Sequence, residues 1–334
     1  MSAQAVALGA ETAELVRAGG PHVPLLMSRI EARLRDAATG HGAILAEHGG
    51  TTIAAGGKRL RPLLVLLAAG APTGEDQAES LVRAGAAVEL VHSATLVHDD
   101  VLDAASLRRG RPTIVATAGA EMAIATGDLL FARAFAGLTE PGAAAGAAAV
   151  RTLSDACSAL ARGELVQRTD AWDPHVSVER YLYRCELKTA RLFEAACLMG
   201  AAAVGEDAGG LGAFGRGIGL AFQLLDDVLD VAGPAERTGK HRGTDLLDGT
   251  VTLPFIVARE RSAELAGLDP RALTTPQDAE RICDAIASTG ALDDARAMAL
   301  DLVAQAKREL PDALDASRRV ALELVADGVV KRYS

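Results

Sequence analysis

The chain has 334 residues, a length that can bury a sizeable core without disulfides or a structural metal. Apolar residues make up 49% of it and aromatic residues only 3%, with alanine and leucine well ahead of the types that favour sheets, so the composition argues against a β fold. A formal net charge of -10 argues against broad nucleic-acid binding, because a surface that neutralises phosphates needs a surplus of lysine and arginine.

Helical periodicity runs through the whole chain, and strand-like alternation is nearly absent. Helix-like segments lie near residues 24–37, 59–70, 76–104, 113–137, 143–170, 177–204, 208–232, 250–263, 277–308 and 312–332. The glycine and proline breaks between them are too short for domain linkers, so we predict one all-α domain over residues 1–334, with a poorly ordered segment at 1–20. Residues 233–249 combine glycine, proline and charges without an apolar face, which is typical of a mobile lid.

The cysteines carry no metal-binding pattern. No CxxC pair is formed by Cys157, Cys185, Cys197 and Cys283. Reduced, packed thiols are therefore expected.

Neither a secretory signal nor an uncharged apolar run of about 18 residues is found, so we expect a cytoplasmic protein without a membrane span.

Two aspartate-rich motifs carry the chemical signal. The sequences VHDDVLD and LLDDVLD contain Asp99, Asp100 and Asp103, and Asp226, Asp227 and Asp230. On a helix, the first and fifth positions of DDxxD lie about 5–6 Å apart on one face, where two carboxylates repel unless a divalent cation lies between them. Carboxylate oxygens favour Mg²⁺, Mn²⁺ or Ca²⁺ over zinc or copper, and we predict a magnesium site completed by substrate phosphate oxygens. The alternative is a solvated acidic face, but both copies end strongly apolar segments, where unpaired carboxylates are costly.

Cationic residues lie near both motifs. They are Lys58 and Arg61 at a helix start, His92 two turns before the first motif, Arg108 and Arg109 after it, and later Lys188 and Lys240. Together they suit two diphosphates. Separately, a Lys-Arg cluster is usually a solvated helix cap, and a lone histidine is usually a packed core residue.

The motifs GGKRLRP, VHSATLVHDDVLD, RRG, KTA and LAFQLLDDVLD, in this order over roughly residues 56–254, resemble the trans-isoprenyl diphosphate synthase family. The resemblance is to the branch that makes geranylgeranyl or longer polyprenyl diphosphates. It implies an all-α bundle of the isoprenoid synthase type around a deep apolar cavity, usually in a homodimer. It also implies condensation of an allylic diphosphate with isopentenyl diphosphate, with transient membrane contact for product release.

The same resemblance implies a role for each matching residue. Metal and, through it, the allylic diphosphate would be bound by Asp99, Asp100, Asp103, Asp226 and Asp230, helped by Arg108, Lys188 and Lys240. We count Asp227 as a metal ligand with the rest of its motif. Isopentenyl diphosphate would contact Lys58, Arg61, His92 and Arg109. Thr189 and Gln223 would direct oxygens at the allylic cation, and Gln167 with Asp170 would complete the mouth.

The sequence departs from the family pattern at two places. Thr250 stands where the family often has lysine or asparagine, so a phosphate contact near the lid is in doubt. The usual Phe-Gly-Asn is replaced by Ala118-Gly119-Ala120, which puts the local turn in doubt.

Small residues precede the first motif and predict a long product. Ala94 and Thr95 stand where a bulky aromatic would make an early floor, and the next turns carry Ala87, Leu90 and Val91. Phe131 or Phe135 on the neighbouring helix is the predicted deeper stop. We expect a product of geranylgeranyl size or longer.

Three other functions remain open at this stage. A class I terpene cyclase also uses DDxxD and Mg²⁺, but it holds one diphosphate and usually has an Asn-Ser-Glu type second motif. A non-catalytic partner of a synthase would be expected to lose a motif, and both are present. We disfavour a di-iron carboxylate bundle, because we expect no Glu-x-x-His pair to project from a helix.

Overall fold

Helices make up 79% of the computed structural model, which describes residues 17–40, 42–108, 110–140, 146–233 and 242–331. The predictions for most of the 1–20 segment, for Arg109, and for residues 234–241 of the lid, including Lys240, lie outside the described residues.

The helices are α1 (His22–Thr39), α2 (Ala43–Ala54), α3 (Leu60–Ala69), α4 (Glu75–Leu102), α5 (Ile114–Ala118), α6 (Ala120–Thr139), α7 (Gly146–Thr169), α8 (Val178–Cys185), α9 (Arg191–Ala203), α10 (Leu211–Ala232), α11 (Thr244–Leu247), α12 (Leu253–Arg261), α13 (Ala263–Ala266), α14 (Pro276–Ser288), α15 (Ala291–Glu309) and α16 (Ala316–Lys331). A π-helical turn, Glu186–Ala190, joins α8 to α9, and a 3₁₀ turn covers Pro270–Ala272. Strands β1 (Leu107–Arg108) and β2 (Arg111–Pro112) form a short antiparallel hairpin.

The two helices that carry the aspartate motifs lie at the centre of the bundle. Helix α4 is apolar on most sides and packs against α6, α1, α3 and α9. Helix α10 packs against α15, α9 and the π turn. Their buried apolar sides join the main hydrophobic core, which leaves the motifs at the C-terminal ends of two anchored helices. The predicted all-α fold is confirmed.

Several predicted boundaries were wrong because glycine ends helices. Gly119, with φ 88°, separates α5 from α6 inside the predicted 113–137 helix, and Gly290, with φ 78°, divides the predicted 277–308 helix. Helix α2 was not predicted, since Gly49 and Gly50 and two threonines weaken its helical pattern.

Helix α6 is unusually apolar for a helix at the side of a bundle. Among the described helices it alone is long and apolar enough, by length and composition, to cross a membrane. Only 33% of its apolar window is buried, where it packs along α4. It also carries Asp128 and Arg133, so the expectation of no uncharged apolar run stands.

Candidate active site

The first aspartate motif is held by arginines from two other elements. Asp100 is buried, and its carboxylate accepts a hydrogen bond from Nε of Arg108, on the β hairpin, at 2.7 Å. Asp103 caps the end of α4 and accepts from Nη2 of Arg168, on α7, at 2.7 Å. The structure therefore brings Arg108 to the motif as predicted, and it adds Arg168.

Negative charge accumulates around Asp99. Burial raises the pKa of its carboxyl, the ammonium of Lys188 opposes that shift, and the carboxylates of Glu164 and Asp103 raise the pKa further. The C-terminal end of α4 adds the negative pole of the helix dipole. A cation at this position would relieve the repulsion.

Lys188 and Thr189 lie on the π-helical turn, Glu186–Ala190. Such a turn inserts an extra residue into a helix and often occurs at functional sites. Helix α7 crosses it at Gly163, where a β-carbon would lie 2.7 Å from the backbone nitrogen of Lys188. This close approach lets Glu164, the next residue, pair with the ammonium of Lys188. Burial alone would raise the pKa of Glu164, but the charges and hydrogen bonds of Lys188 and Arg168 together outweigh it, so this pKa is lowered.

The second motif is connected to the same turn. Thr189 donates its hydroxyl to Oε1 of Gln223 at 2.6 Å, and Nε2 of Gln223 donates to Asp227 at 2.8 Å. The hydroxyl of Tyr181 donates to the other Asp227 oxygen at 2.6 Å. Lys188 therefore acts on the first motif through its charge, and the adjacent Thr189 acts on the second motif through Gln223.

Asp227 differs from the other motif aspartates in its surroundings. Its side chain is buried, and both oxygens accept hydrogen bonds from protein groups. Burial raises its pKa to about 6, although the hydrogen bond from Tyr181 opposes the shift. These contacts disfavour the prediction that Asp227 is a metal ligand and instead make it an orienting partner of Gln223.

The other two aspartates of the second motif are more accessible. Asp226 is exposed at the surface of α10, and Asp230 is half-buried. The Asp230 carboxylate accepts from the backbone nitrogen of Asp245 at 3.3 Å, and its carbonyl accepts from that of Gly243 at 2.9 Å. The described end of the predicted lid is therefore attached directly to this motif.

Arg61 is a shielded cation beside the first motif's helix. Its guanidinium lies 4.6 Å above the ring of Phe193, and its Nε is buried without a hydrogen-bond partner. Burial lowers the pKa of Arg61 to about 10, and the nearby charge of Glu89 opposes the shift. The side chain stays charged at neutral pH and suits an incoming anion. Lys58 is exposed on the preceding loop.

A cavity of about 80 Å³ brings other predicted cations together. It is lined by His92 on α4 and by Arg108 and Arg111 on the hairpin, with Arg59 and Glu89 beside them. Its position next to Asp100 supports a phosphate subsite at the mouth. Arg111 was not predicted.

The arrangement matches a known family. A family model described as polyprenyl synthetase matches residues 43–288. The chain belongs to the polyprenyl synthetase family. This polyprenyl synthetase is a prenyltransferase of isoprenoid biosynthesis, which confirms the predicted family and enzyme class.

Named relatives of this polyprenyl synthetase differ in product. Heptaprenyl diphosphate synthase component 2 of Geobacillus stearothermophilus is 38% identical over 81% of this chain and 85% of its own length. Geranylgeranyl diphosphate synthase of Methanosarcina mazei is 35% identical over 83% of this chain and 86% of its own length. A crystal structure of polyprenyl synthase from Caulobacter crescentus CB15, complexed with calcium and isoprenyl diphosphate, is 35% identical, covers 97% of this chain and 98% of its own, and has a TM-score of 0.88.

Two mouth residues of this polyprenyl synthetase have different surroundings. Gln167 is half-buried on α7. Asp170 is nearly buried and is bound through both oxygens by Arg180, at 2.8 and 3.1 Å. This bidentate pair disfavours the prediction that Asp170 contacts substrate.

Two residues later, Trp172 adopts φ 65° and donates its backbone N–H to the carbonyl of Gly249 at 2.8 Å.

Sequence reasoning missed several residues of the polyprenyl synthetase site. Glu164 and Arg168 form an i,i+4 pair at 2.7 Å, which was visible as a spacing but not as a neighbour of the first motif. Tyr181 lies 46 positions before Asp227 and gave no local signal.

The expectation that no Glu-x-x-His pair occurs was wrong. Glu89 and His92 have this spacing on α4. Glu89 is, however, paired with Arg59 at 2.8 Å, and a di-iron bundle needs such a pair on each of two helices. The sequence contains no second pair, so the di-iron alternative remains disfavoured.

Proposed function

We propose that this polyprenyl synthetase condenses an allylic diphosphate with isopentenyl diphosphate, in a Mg²⁺-dependent reaction that gives an (E)-polyprenyl diphosphate of geranylgeranyl size or longer. The observation that carries the proposal is the π turn, whose Lys188 acts electrostatically on Asp99 while Thr189 binds Gln223 beside Asp227. Both aspartate motifs are thereby coupled to one short segment.

The donor chemistry at the motifs fits a hard divalent cation. Asp99, Asp100, Asp103, Asp226 and Asp230 offer carboxylate oxygens, which Mg²⁺ or Mn²⁺ prefers. Within the described parts of the chain, no three acidic, histidine or cysteine side chains are grouped closely enough to hold a metal ion. Metal binding would therefore require the Arg108–Asp100 and Arg168–Asp103 pairs to loosen. When bound, Mg²⁺ would supply positive charge for the leaving diphosphate.

The residues of the chain have separate tasks in this reaction. Lys188 and Arg108 neutralise charge on the allylic diphosphate as its C–O bond breaks. Thr189 and Gln223 hold their oxygens in a fixed mutual orientation to stabilise the allylic cation. Arg61, with Lys58 and His92, orients isopentenyl diphosphate. The double bond of that substrate forms the new carbon–carbon bond, and the proton that is then released passes to the departing diphosphate.

Residues on α4 and on the neighbouring helix α6 support a long product. Ala87, Leu90 and Ala94 are all buried small or flexible residues below the first motif. Phe131 stacks on His98 at 5.7 Å between ring centroids, which places it at the level of the motif. Since α6 runs antiparallel to α4, Phe135 lies one turn deeper and is the better candidate for the stop.

The exposed side of α6 supports a second copy of the chain as partner. This helix is strongly apolar, yet only a third of its apolar window is covered, and Ile124 is 46% exposed. A homodimer would bury this side. The Geobacillus relative is named as component 2, so a different subunit is the alternative, which light scattering of the purified protein alone would distinguish. A cytoplasmic location, with transient membrane contact for product release, completes the proposal.

Incubation of the purified protein with isopentenyl diphosphate and each allylic primer tests the main proposal. Mass spectrometry should detect chain-extended diphosphates, and EDTA should abolish them until Mg²⁺ is restored. A hydrocarbon product would instead indicate a terpene cyclase, and inactivity with every primer would indicate a non-catalytic partner subunit. Arg318→Gln, on α16 at the far end of α3, serves as the activity-neutral control variant.

A further inference from the structure

Arg59 is a buried arginine within a loop of exposed or ligand-facing cations. Its side chain is 7% exposed, although it lies between Lys58 and the start of α3. Nε donates to Glu31 on α1 at 2.6 Å, and Nη1 donates to Glu89 on α4 at 2.8 Å. Nη2 donates to the carbonyl of Ile53 at 2.8 Å, so the fork joins three separate helices.

The backbone at Arg59 is strained. Its φ of 48° lies in the left-handed region, which residues with a β-carbon adopt at an energetic cost. The carbonyl of Arg59 nevertheless accepts the first hydrogen bond of α3, from Leu63 at 3.0 Å. The three side-chain hydrogen bonds of Arg59 stabilise this strained backbone conformation.

This turn sets the directions of the neighbouring cations. Lys58, before it, is exposed, whereas Arg61, two residues after it, lies on the ring of Phe193. A relaxed backbone at residue 59 would rotate both side chains relative to the mouth.

Glu89 gives Arg59 a second task. Its carboxylate is bound to Arg59 but also acts electrostatically on Arg61. Without Arg59, Glu89 would be a buried carboxylate lacking its main counter-ion, and Arg61, whose charge already interacts with Glu89, could take that place. Such a pair would neutralise the cation that the second substrate needs.

We propose that Arg59 is a positioning residue for isopentenyl diphosphate, which fixes the left-handed turn and keeps Glu89 away from Arg61. The inference rests on the proposed function, because it assigns Lys58 and Arg61 to that substrate. Although Arg59 lies beside the cavity, its nitrogens donate to protein oxygens, so the role assigned to it is positioning and not direct contact with the substrate.

Arg59→Gln should raise the KM for isopentenyl diphosphate about tenfold, while the KM for the allylic primer and kcat at saturation change less than about twofold. The matched control is Arg318→Gln, since Arg318 is 8% exposed, donates to the carbonyl of Leu67 at the other end of α3 and pairs with Glu206 after α9. The control should lower the melting temperature without changing either KM. An unchanged KM for isopentenyl diphosphate in folded Arg59→Gln would overturn the inference.

A second pair of variants keeps the test decisive. Glu89→Gln added to Arg59→Gln should recover part of the lost affinity for isopentenyl diphosphate, because the competing charge is removed, and no recovery would refute the competition. If Arg59→Gln does not fold, Glu31→Gln decides: a two- to threefold rise in the same KM is expected from the loss of one ion pair, and no rise refutes the positioning role. A wild-type enzyme that makes no prenyl diphosphate would refute the proposed function instead.

Discussion

Gly163 on α7 lies against the backbone of Lys188, and alanine there should disturb catalysis more than folding. A β-carbon at Gly163 would lie 2.7 Å from the nitrogen of Lys188 and 3.0 Å from its Cα. The first distance is about 0.7 Å shorter than the 3.4 Å at which ordinary contacts begin, and both groups are backbone that cannot rotate away.

The size of both effects follows from this overlap. Alanine gains about 0.5–1 kcal/mol over glycine inside a helix, but overpacking costs about 1–3 kcal/mol, so Gly163→Ala should lower the free energy of unfolding by roughly 1 kcal/mol. A shift of Lys188 by about 0.7 Å is enough to lower kcat by about 10- to 30-fold, because misplacement by 1 Å can cost about 100-fold.

Gly137→Ala on α6 provides the matched control. It is also a helical glycine, but the nearest atom to its added β-carbon is Nε of Arg33 at 3.9 Å. This variant should gain about 0.5–1 kcal/mol and keep its kcat. Steady-state kinetics and thermal unfolding of both variants test the argument. A Gly163→Ala enzyme with kcat within twofold of wild type would show that the contact at Lys188 does not set its position.

Three further predictions concern the cavity, the acid stability and the thiols. Ala94→Phe should shorten the main product seen by mass spectrometry, because Ala94 is fully buried below the first motif, and an unchanged product would contradict this channel placement. Burial alone would raise the pKa of Glu79, but Arg83, Arg29 and Arg33 lower it. The stabilising effect of the Glu79 carboxylate is therefore present at neutral pH and is lost as the pH falls through its folded pKa. The unfolding midpoint of Glu79→Gln should therefore lie below that of wild type at pH 7 and converge with it in acid. Burial raises the pKa of Cys157 to about 11, so native alkylation near pH 7 should be roughly 100-fold slower than for a free thiol, and rapid labelling would refute its shielding.

The sequence predicted the elements whose chemistry is local. Two DDxxD motifs at the ends of apolar helices and the Lys188-Thr189 pair were recognisable because each is a short pattern on one helix. The position of Asp227 was not predictable, since adjacent motif aspartates look alike until Tyr181 arrives from a distant helix.

The remaining misses have the same physical origin. Arg59 reads as one more basic residue in a cationic loop, and only the packing of α1 and α4 shows that it points inward. The importance of Gly163 depends on an interhelical approach that no spacing along the chain encodes. The helix boundaries at Gly119 and Gly290 required the backbone angles themselves.

Trp172 is the single tryptophan of the chain, and it lies where the mouth meets the C-terminal end of the predicted lid. Its indole covers Gly249 so closely that a β-carbon there would lie 2.3 Å from the ring. The enzyme therefore contains a natural optical reporter: the emission colour and quenching of one indole should follow any rearrangement of this segment during turnover, without an attached dye.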